Sequence, residues 1–386
     1  MLLKGNCLET LKTLADNSVD SIVTDPPYEL GFMGKTWDAS GIAYNQDLWA
    51  ECLRVLKPGG HLLAFSGSRT YHRMTVAIED AGFEIRDQIM WLYGSGFPKS
   101  LDVSKAIDKA AGAEREVVGS SDNGIAGGTG KHAGQEKSYR FAGEFEITAP
   151  ATPEAQRWQG WGTALKPAHE PICVARKPLT GTVASNVLEW GTGALNIDGS
   201  RVGTGTGETV TYEVSDIRGG NYGQDKEAYA DRGKLTYTKT DQGRWPANVI
   251  YDGSDEVLAG FPNDAGRFFY CAKASKSERN AGLEGMVERR PDERTETGMG
   301  TFAEKGVAKQ SNFHPTVKPL ALMRYLVKLV TPPNGTVLDP FLGSGSTAVA
   351  CVLEGFDWIG CEMTEDYWPI IEARVEWAEA QPRTLL

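Results

Sequence analysis

Two short stretches carry residue types that can do chemistry. The first, SIVTDPPYELGF from Ser21 to Phe32, runs as a strand-like apolar segment into Asp25, Pro26, Pro27 and Tyr28. Proline cannot donate to a sheet ladder, so the two prolines end whatever the apolar run begins. An exocyclic base amine is a poor nucleophile, because its lone pair is delocalised into the ring. The carboxylate of Asp25 and the carbonyl of Pro26 can accept one N–H proton each, which favours a pyramidal nitrogen with an available lone pair. Proline fixes φ, so that carbonyl needs no reorganisation during a reaction. Tyr28 offers a π face to a planar base, worth roughly 1–3 kcal/mol. A base held this way must first leave its duplex. The same four residues also make an ordinary turn, with Asp25 bonded to nearby backbone and Tyr28 half-buried. The preceding strand favours the chemical reading, since ligand loops of open α/β sheets sit at strand carboxyl ends.

The second stretch is DPFLGSGSTAVACVLEGFDWIGCE, ending at Glu362. It reads strand, glycine turn, helix, strand, with an acid about 20 positions past the turn, where a ribose is usually gripped. Gly343 and Gly345 lack Cβ atoms, so backbone can approach a ligand closely. The turn is neither GxGxxG nor GxxxxGK[ST], which argues against a pyrophosphate or triphosphate. S-adenosylmethionine, an adenosine-bearing cofactor without phosphates, suits it better. A plain strand-to-helix turn with packing glycines is the other reading.

The elements around both stretches alternate. VDSIVT predicts a buried strand ending at Thr24, and Leu48, Cys52, Val55 and Leu56 keep helical spacing until Pro58-Gly59-Gly60 breaks it. HLLAF and QIMWLY predict strands, with a helix over 69–81 closed by Gly82. Near the end, LALMRYLVKLV predicts a helix, TVLDPF a strand, TAVACVLE a helix, DWIGCEM a strand, and about 365–380 a last helix. Alternation of this kind implies a parallel α/β sheet. Between the two ends, Gly119 to Gly134 is glycine-rich, a mobile loop by composition. HEPICVARKP, His169 to Pro178, reads as a core strand, and about Gly181 to Ser311 as an irregular α+β insertion.

The chain has 386 residues, 40% hydrophobic and 24% charged, enough for a large core with one major domain plus a second or an insertion. No apolar run is long enough to span a bilayer and no signal pattern opens the chain, so a soluble, cytoplasmic protein is expected. Six scattered cysteines form no CxxC pair and no cluster with the five histidines; buried thiols are expected, with neither metal nor disulfide framework. The net charge of −11 does not announce a nucleic-acid partner, but binding needs only a local basic face. Local basic runs such as KASKSER alternate with acids and read, singly, as solvated surface.

Pairing DPPY with DPFLGSGST resembles the amino-methyltransferases of DNA, and the order DPPY, central region, HPTVKP, DPFLGSGST resembles their β group, bacterial and phage members included. The resemblance covers both ends, roughly half the chain. It implies a Rossmann-like S-adenosylmethionine-dependent methyltransferase core with circularly permuted motif order and an inserted α+β target-recognition region. Residues 1–180 would form the catalytic part, with a flexible insertion at about 112–165. Residues 181–311 would form the target-recognition insertion and 312–386 the cofactor part. By resemblance Asp25, Pro26, Pro27 and Tyr28 are catalytic. Asp25, His314, Thr316, Lys318, Asp339, Pro340, Phe341, Gly343, Ser344, Gly345 and Glu362 hold the cofactor, together with Asn6 and Cys7. Pro315 and Pro319 complete the HPTxKP match. Asn6 stands where the family usually has an acid that contacts the cofactor's adenine; asparagine can donate and accept there. Candidate DNA contacts are Lys273, Lys276, Arg279, Arg289 and Arg290. Members with Asp first in the motif usually modify adenine N6 and those with Ser cytosine N4, so adenine N6 is expected, with cytosine N4 the alternative. Expected partners are double-stranded DNA, a second copy of the chain and a cognate restriction endonuclease, and the expected setting is the nucleoid of a bacterial or phage-infected cell.

Overall fold

The structure, a computed structural model, describes residues 1–30, 36–94, 96, 100–121, 145–203, 209–214, 235–240, 243–260, 269–289 and 311–381. Thirteen strands are described: β1 Leu2–Lys4, β2 Val19–Thr24, β3 Leu56–Phe65, β4 Glu84–Leu92, β5 Val117–Ser121, β6 Phe145–Thr148, β7 His169–Arg176, β8 Thr209–Val214, β9 Leu235–Thr240, β10 Val249–Tyr251, β11 Phe269–Tyr270, β12 Thr336–Asp339 and β13 Asp357–Glu362. Nine of them form one sheet, in the order β1-β13-β12-β2-β3-β7-β4-β10-β11. The hairpins β5-β6 and β8-β9 stand apart from it.

The strand sequences show why the sheet is buried on both faces. All six residues of β2 are buried, the near-continuous pattern of a strand covered by helices on each side. Successive side chains point to opposite faces, so Ile22, Leu62, Ala64 and Leu338 join one core and Val23, Leu63, Phe65 and Val337 the other. The helices Gln46–Val55 and Tyr71–Asp80 supply Leu48, Trp49, Cys52 and Ile78 to the first core. Leu320–Val330 supplies Leu322, Leu326 and Val327 to the second. All six cysteines are free and buried.

Several sequence expectations change. β3 begins at Leu56 and runs through Pro58-Gly59-Gly60 instead of starting at His61. The ladder to β2 jumps from Val19↔Leu56 to Ser21↔His61, so the proline and glycines form a bulge. The Pro58 carbonyl is satisfied from outside the ladder, by Asn186 Nδ2 at 2.9 Å and the Thr192 hydroxyl. The sheet is not wholly parallel: β7 runs antiparallel to both β3 and β4. Part of the central insertion also joins the sheet, with β10 parallel to β4 and β11 parallel to β10. The expected mobile loop falls largely on 122–134, outside the described residues. Among the described residues no helix is long and apolar enough to cross a membrane.

β12 leads out to β13 on one side, and β2 leads to β3 and β4 on the other. The order therefore reverses between β12 and β2, the place where open α/β sheets bind ligands at strand carboxyl ends. Asp25 follows β2 and Asp339 ends β12. The two chemical stretches are thus neighbours.

Candidate active site

The seam between the two loops is a hydrogen-bonded one. Thr24 Oγ1 donates to Asp339 Oδ1 at 2.6 Å, and Thr347 Oγ1, one residue into the helix Ser346–Glu354, donates to Asp339 Oδ2 at 2.5 Å. The Phe341 N–H adds a third donor at 3.0 Å, turning the chain into the glycine loop. Burial nonetheless lifts the Asp339 carboxyl to about 6 against these donors. Pro340 is buried beside it.

Gly343 sits at φ +56 and Gly345 at φ +82, the left-handed region that glycine enters without penalty. A Cβ on Gly343 would lie 2.9 Å from His314 Nε2. Glu362, 9% exposed, accepts from the Gly343 N–H at 2.8 Å and the Thr364 N–H at 2.7 Å. Each carboxylate oxygen keeps further lone pairs for a ligand hydroxyl, as a ribose grip requires. Ser344 is clamped from behind: buried Arg374 donates to its carbonyl at 2.6 Å and to its Oγ at 3.1 Å. Asn6 reaches the same corner because β1 pairs with β13, matching Lys4 to Glu362, and Gly5 N–H donates to the Glu362 carbonyl. Its Oδ1 caps the short helix Cys7–Thr10 through Leu8 N–H at 2.9 Å. Cys7 lies in the core, its thiol pushed up to about 11 by burial.

The segment from Asn312 to Pro319 links this corner to Asp25. Its His314 ring lies against Gly343, edge-on to Tyr367 at 4.7 Å, and burial holds it neutral, down to about 3. His314 Nδ1 lies 3.1 Å from the Thr316 carbonyl, which sets the ring's orientation. Lys318, 8% exposed, then turns to the other loop. Its ammonium donates to Asp25 Oδ2 at 2.5 Å and to Tyr28 Oη at 3.1 Å, and lies 3.4 Å from Glu170 Oε2. An ammonium has three protons, and three acceptors of the DPPY side surround this one. Burial works against the Lys318 charge, but the two carboxylates raise its pKa. Burial raises the pKa of Asp25 in turn, and Lys318 opposes that shift. Asp25 Oδ1 is buried and finds no hydrogen-bond partner among the described residues.

The loop after Tyr28 is pinned by two carboxylates. Asp38 accepts from the N–H groups of Glu29, at φ +56, and Leu30. Glu29 accepts from Gly41 N–H at 2.7 Å and Ala43 N–H at 3.3 Å.

The structure thus brings together Asp25, Pro26, Pro27, Tyr28, the glycine loop, Glu362, Asn6, His314 and Thr316 along one line of strand ends. Lys318, assigned to the cofactor by resemblance, has the catalytic motif for its partners. Glu170, Thr24, Thr347 and Arg374 belong to the site and were not singled out in the sequence. Glu170 was hidden by strand direction: only because β7 is antiparallel does its amino end lie at the carboxyl ends of β3 and β4. The candidate DNA contacts divide. Arg279 donates to the His314 carbonyl at 2.8 Å, so it braces the segment that carries the site. Arg289 pairs with Asp366 at 3.1 Å. Lys273 is exposed, with its ammonium 3.7 Å from the centre of the Tyr93 ring; Lys276 is exposed too, and Arg290 lies outside the described residues. Among the described residues no His, Cys, Asp and Glu group could hold a metal.

A doubly wound sheet whose two glycine- and proline-bearing loops meet at the switch point defines a nucleoside-cofactor α/β enzyme class. The chain belongs to the DNA methylase family of N6/N4 methyltransferases, whose family model matches residues 19–373. Among curated relatives, the type II methyltransferase M.HpaI of Haemophilus parainfluenzae is 34% identical over 113 residues, 28% of this chain and 36% of that protein. The type II methyltransferase M.ScaI of Streptomyces caespitosus is 38% identical over 81 residues, 21% of this chain and 26% of that protein. These matches span only about a quarter to a third of the relatives' length. The solved PvuII DNA methyltransferase (cytosine-N4-specific) aligns over 97% of this chain and 85% of its own, with 14% identity and a TM-score of 0.46.

Proposed function

We propose that the chain transfers a methyl group from S-adenosylmethionine to the N6 amine of an adenine extruded from duplex DNA. The observation that carries this reading is the pair of oxygens on Asp25: Oδ2 is fixed by Lys318, and buried Oδ1 finds no donor among the described residues. A buried acceptor without a donor costs about 1–3 kcal/mol, and the N–H of a bound amine supplies one. When bound, S-adenosylmethionine supplies an electrophilic methyl group on a sulfonium, which leaves as a neutral thioether.

The residues provide the rest. Gly343, Gly345, Glu362, Asn6 and the His314 face make the corner that fits an adenosine, its hydroxyls accepted by Glu362. Asp25 Oδ1 and the Pro26 carbonyl would accept hydrogen bonds from the two amine N–H groups, freeing the nitrogen lone pair from the ring for attack. With the methyl group supplied by the bound cofactor, Asp25 or water would take the surplus amine proton. Tyr28 supports the base by its ring, and its hydroxyl is tied down. Asp in the first motif position favours adenine over cytosine by the resemblance described above. The stretch 181–311 reads the DNA, with Lys273 and Lys276 presented to phosphate.

The test is transfer of labelled methyl from S-adenosylmethionine to unmethylated DNA of varied sequence, beside RNA and free nucleotides. Label entering DNA alone supports the reading. Label entering RNA or nucleotides alone, or DNA binding with no transfer, overturns it.

A further inference from the structure

We propose that Glu170 is a positioning residue for the transfer step, holding Tyr28 and Lys318 in the places that leave Asp25 Oδ1 free for the substrate amine. The inference rests on the methyl-transfer reading above. Glu170 Oε2 accepts the Tyr28 hydroxyl at 2.8 Å and stands 3.4 Å from the Lys318 ammonium. Tyr93 lies close enough for the Glu170 charge to act on its hydroxyl, and Lys273 lies on the Tyr93 ring. A tyrosine and a lysine 290 positions apart in the chain therefore converge on one side chain, which is itself 18% exposed.

The geometry explains what the carboxylate does. Tyr28 Oη donates to Glu170, which turns its lone pairs toward Lys318 and lets it accept from the ammonium. Without Glu170 the tyrosine is free to turn its proton to Asp25, occupying the acceptor side that the amine needs. Lys318 would also lose one of its two carboxylates and settle wholly on Asp25, weakening that carboxylate as an acceptor. Neither change touches Gly343 or Glu362. The defect should therefore appear in turnover and not in cofactor affinity.

The experiment compares wild type with Glu170→Ala, Glu170→Gln, Tyr28→Phe and the Glu170→Ala/Tyr28→Phe pair, reading kcat, KM for DNA and equilibrium S-adenosylmethionine affinity. Displacing reacting groups by an ångström costs about 10²-fold, and Glu170→Ala should lose that much kcat with cofactor affinity held. Glu170→Gln keeps an oxygen for the Tyr28 hydroxyl and should recover part of the loss. The pair should be little slower than its slower member, since both changes break one bond. Wild-type kcat in Glu170→Ala, or cofactor affinity lost in step with kcat, overturns the proposal. Should melting show Glu170→Ala unfolded, the same criteria apply to Glu170→Gln, which keeps the side-chain volume. Wild type that transfers no methyl defeats the functional reading instead, so the two failures are distinct.

Discussion

Lys318 and Asp25 stand 293 positions apart in the chain and 2.5 Å apart in the fold, ammonium to carboxylate. This bond joins the segment that rests on the glycine loop to the loop proposed to hold the amine. The lysine is the counter-charge that opposes the rise burial imposes on this carboxyl's pKa. Replacing it should show which way it pulls. Burial raises the Asp25 pKa and Lys318 opposes the rise, so Lys318→Met lifts it further. Methyl transfer then fails at a higher pH on the acid side, and the acid limb of the kcat profile moves up. An unmoved limb with wild-type turnover would contradict the pairing.

Gly343 is tested by a single methyl group. Alanine there meets His314 at 2.9 Å and must adopt φ +56, a conformation that costs about 1–2 kcal/mol for a residue with Cβ. Gly343→Ala should weaken S-adenosylmethionine binding and lower the melting temperature, measured by calorimetric titration and by melting. Unchanged cofactor affinity would remove Gly343 from the cradle.

Asp339 makes a pH prediction whose sign follows from its environment. Its folded pKa, about 6, lies above the ordinary 3.8, so the folded state binds more protons between those values. Stability therefore falls as pH rises through that window and is level above it. Asp339→Asn should flatten this part of the melting profile while keeping acceptors for Thr24 and Phe341. A variant with the wild-type slope would show that another group sets it.

The basic residues of the central stretch separate by salt dependence. Each phosphate contact adds about 0.9 to the slope of log affinity against log salt. Lys276→Ala should reduce the slope by about one contact. Arg279→Ala should leave the slope alone and lower stability, since it removes the donor to the His314 carbonyl. A reduced slope in Arg279→Ala would return that residue to the DNA surface.

Much of this was legible in the sequence, and the exceptions have physical causes. The helix Leu320–Val330 was marked by its apolar spacing. β2 was marked by its apolar run and the prolines after it. The direction of β7 was not legible, because a run buried on both faces looks the same whichever way it points. Glu170 was lost with it. β10 and β11 have three and two residues, too few for a period to show. The roles of Lys318 and Arg279 depend on partners far away in the chain, which spacing does not encode. What the motifs did convey was that Asp25 and the glycine loop belong to one site, and Thr24 bonded to Asp339 is the contact that joins them.

The most direct measurement is the identity of the methylated nucleoside. DNA methylated by the purified chain is digested and its nucleosides separated, with Asp25→Ala run beside wild type. The account predicts N6-methyladenine from wild type. In Asp25→Ala its rate should fall by about 10²–10³, the loss expected when one preorganised group is removed, with S-adenosylmethionine affinity kept. N4-methylcytosine without N6-methyladenine, or undiminished transfer by Asp25→Ala, would contradict it.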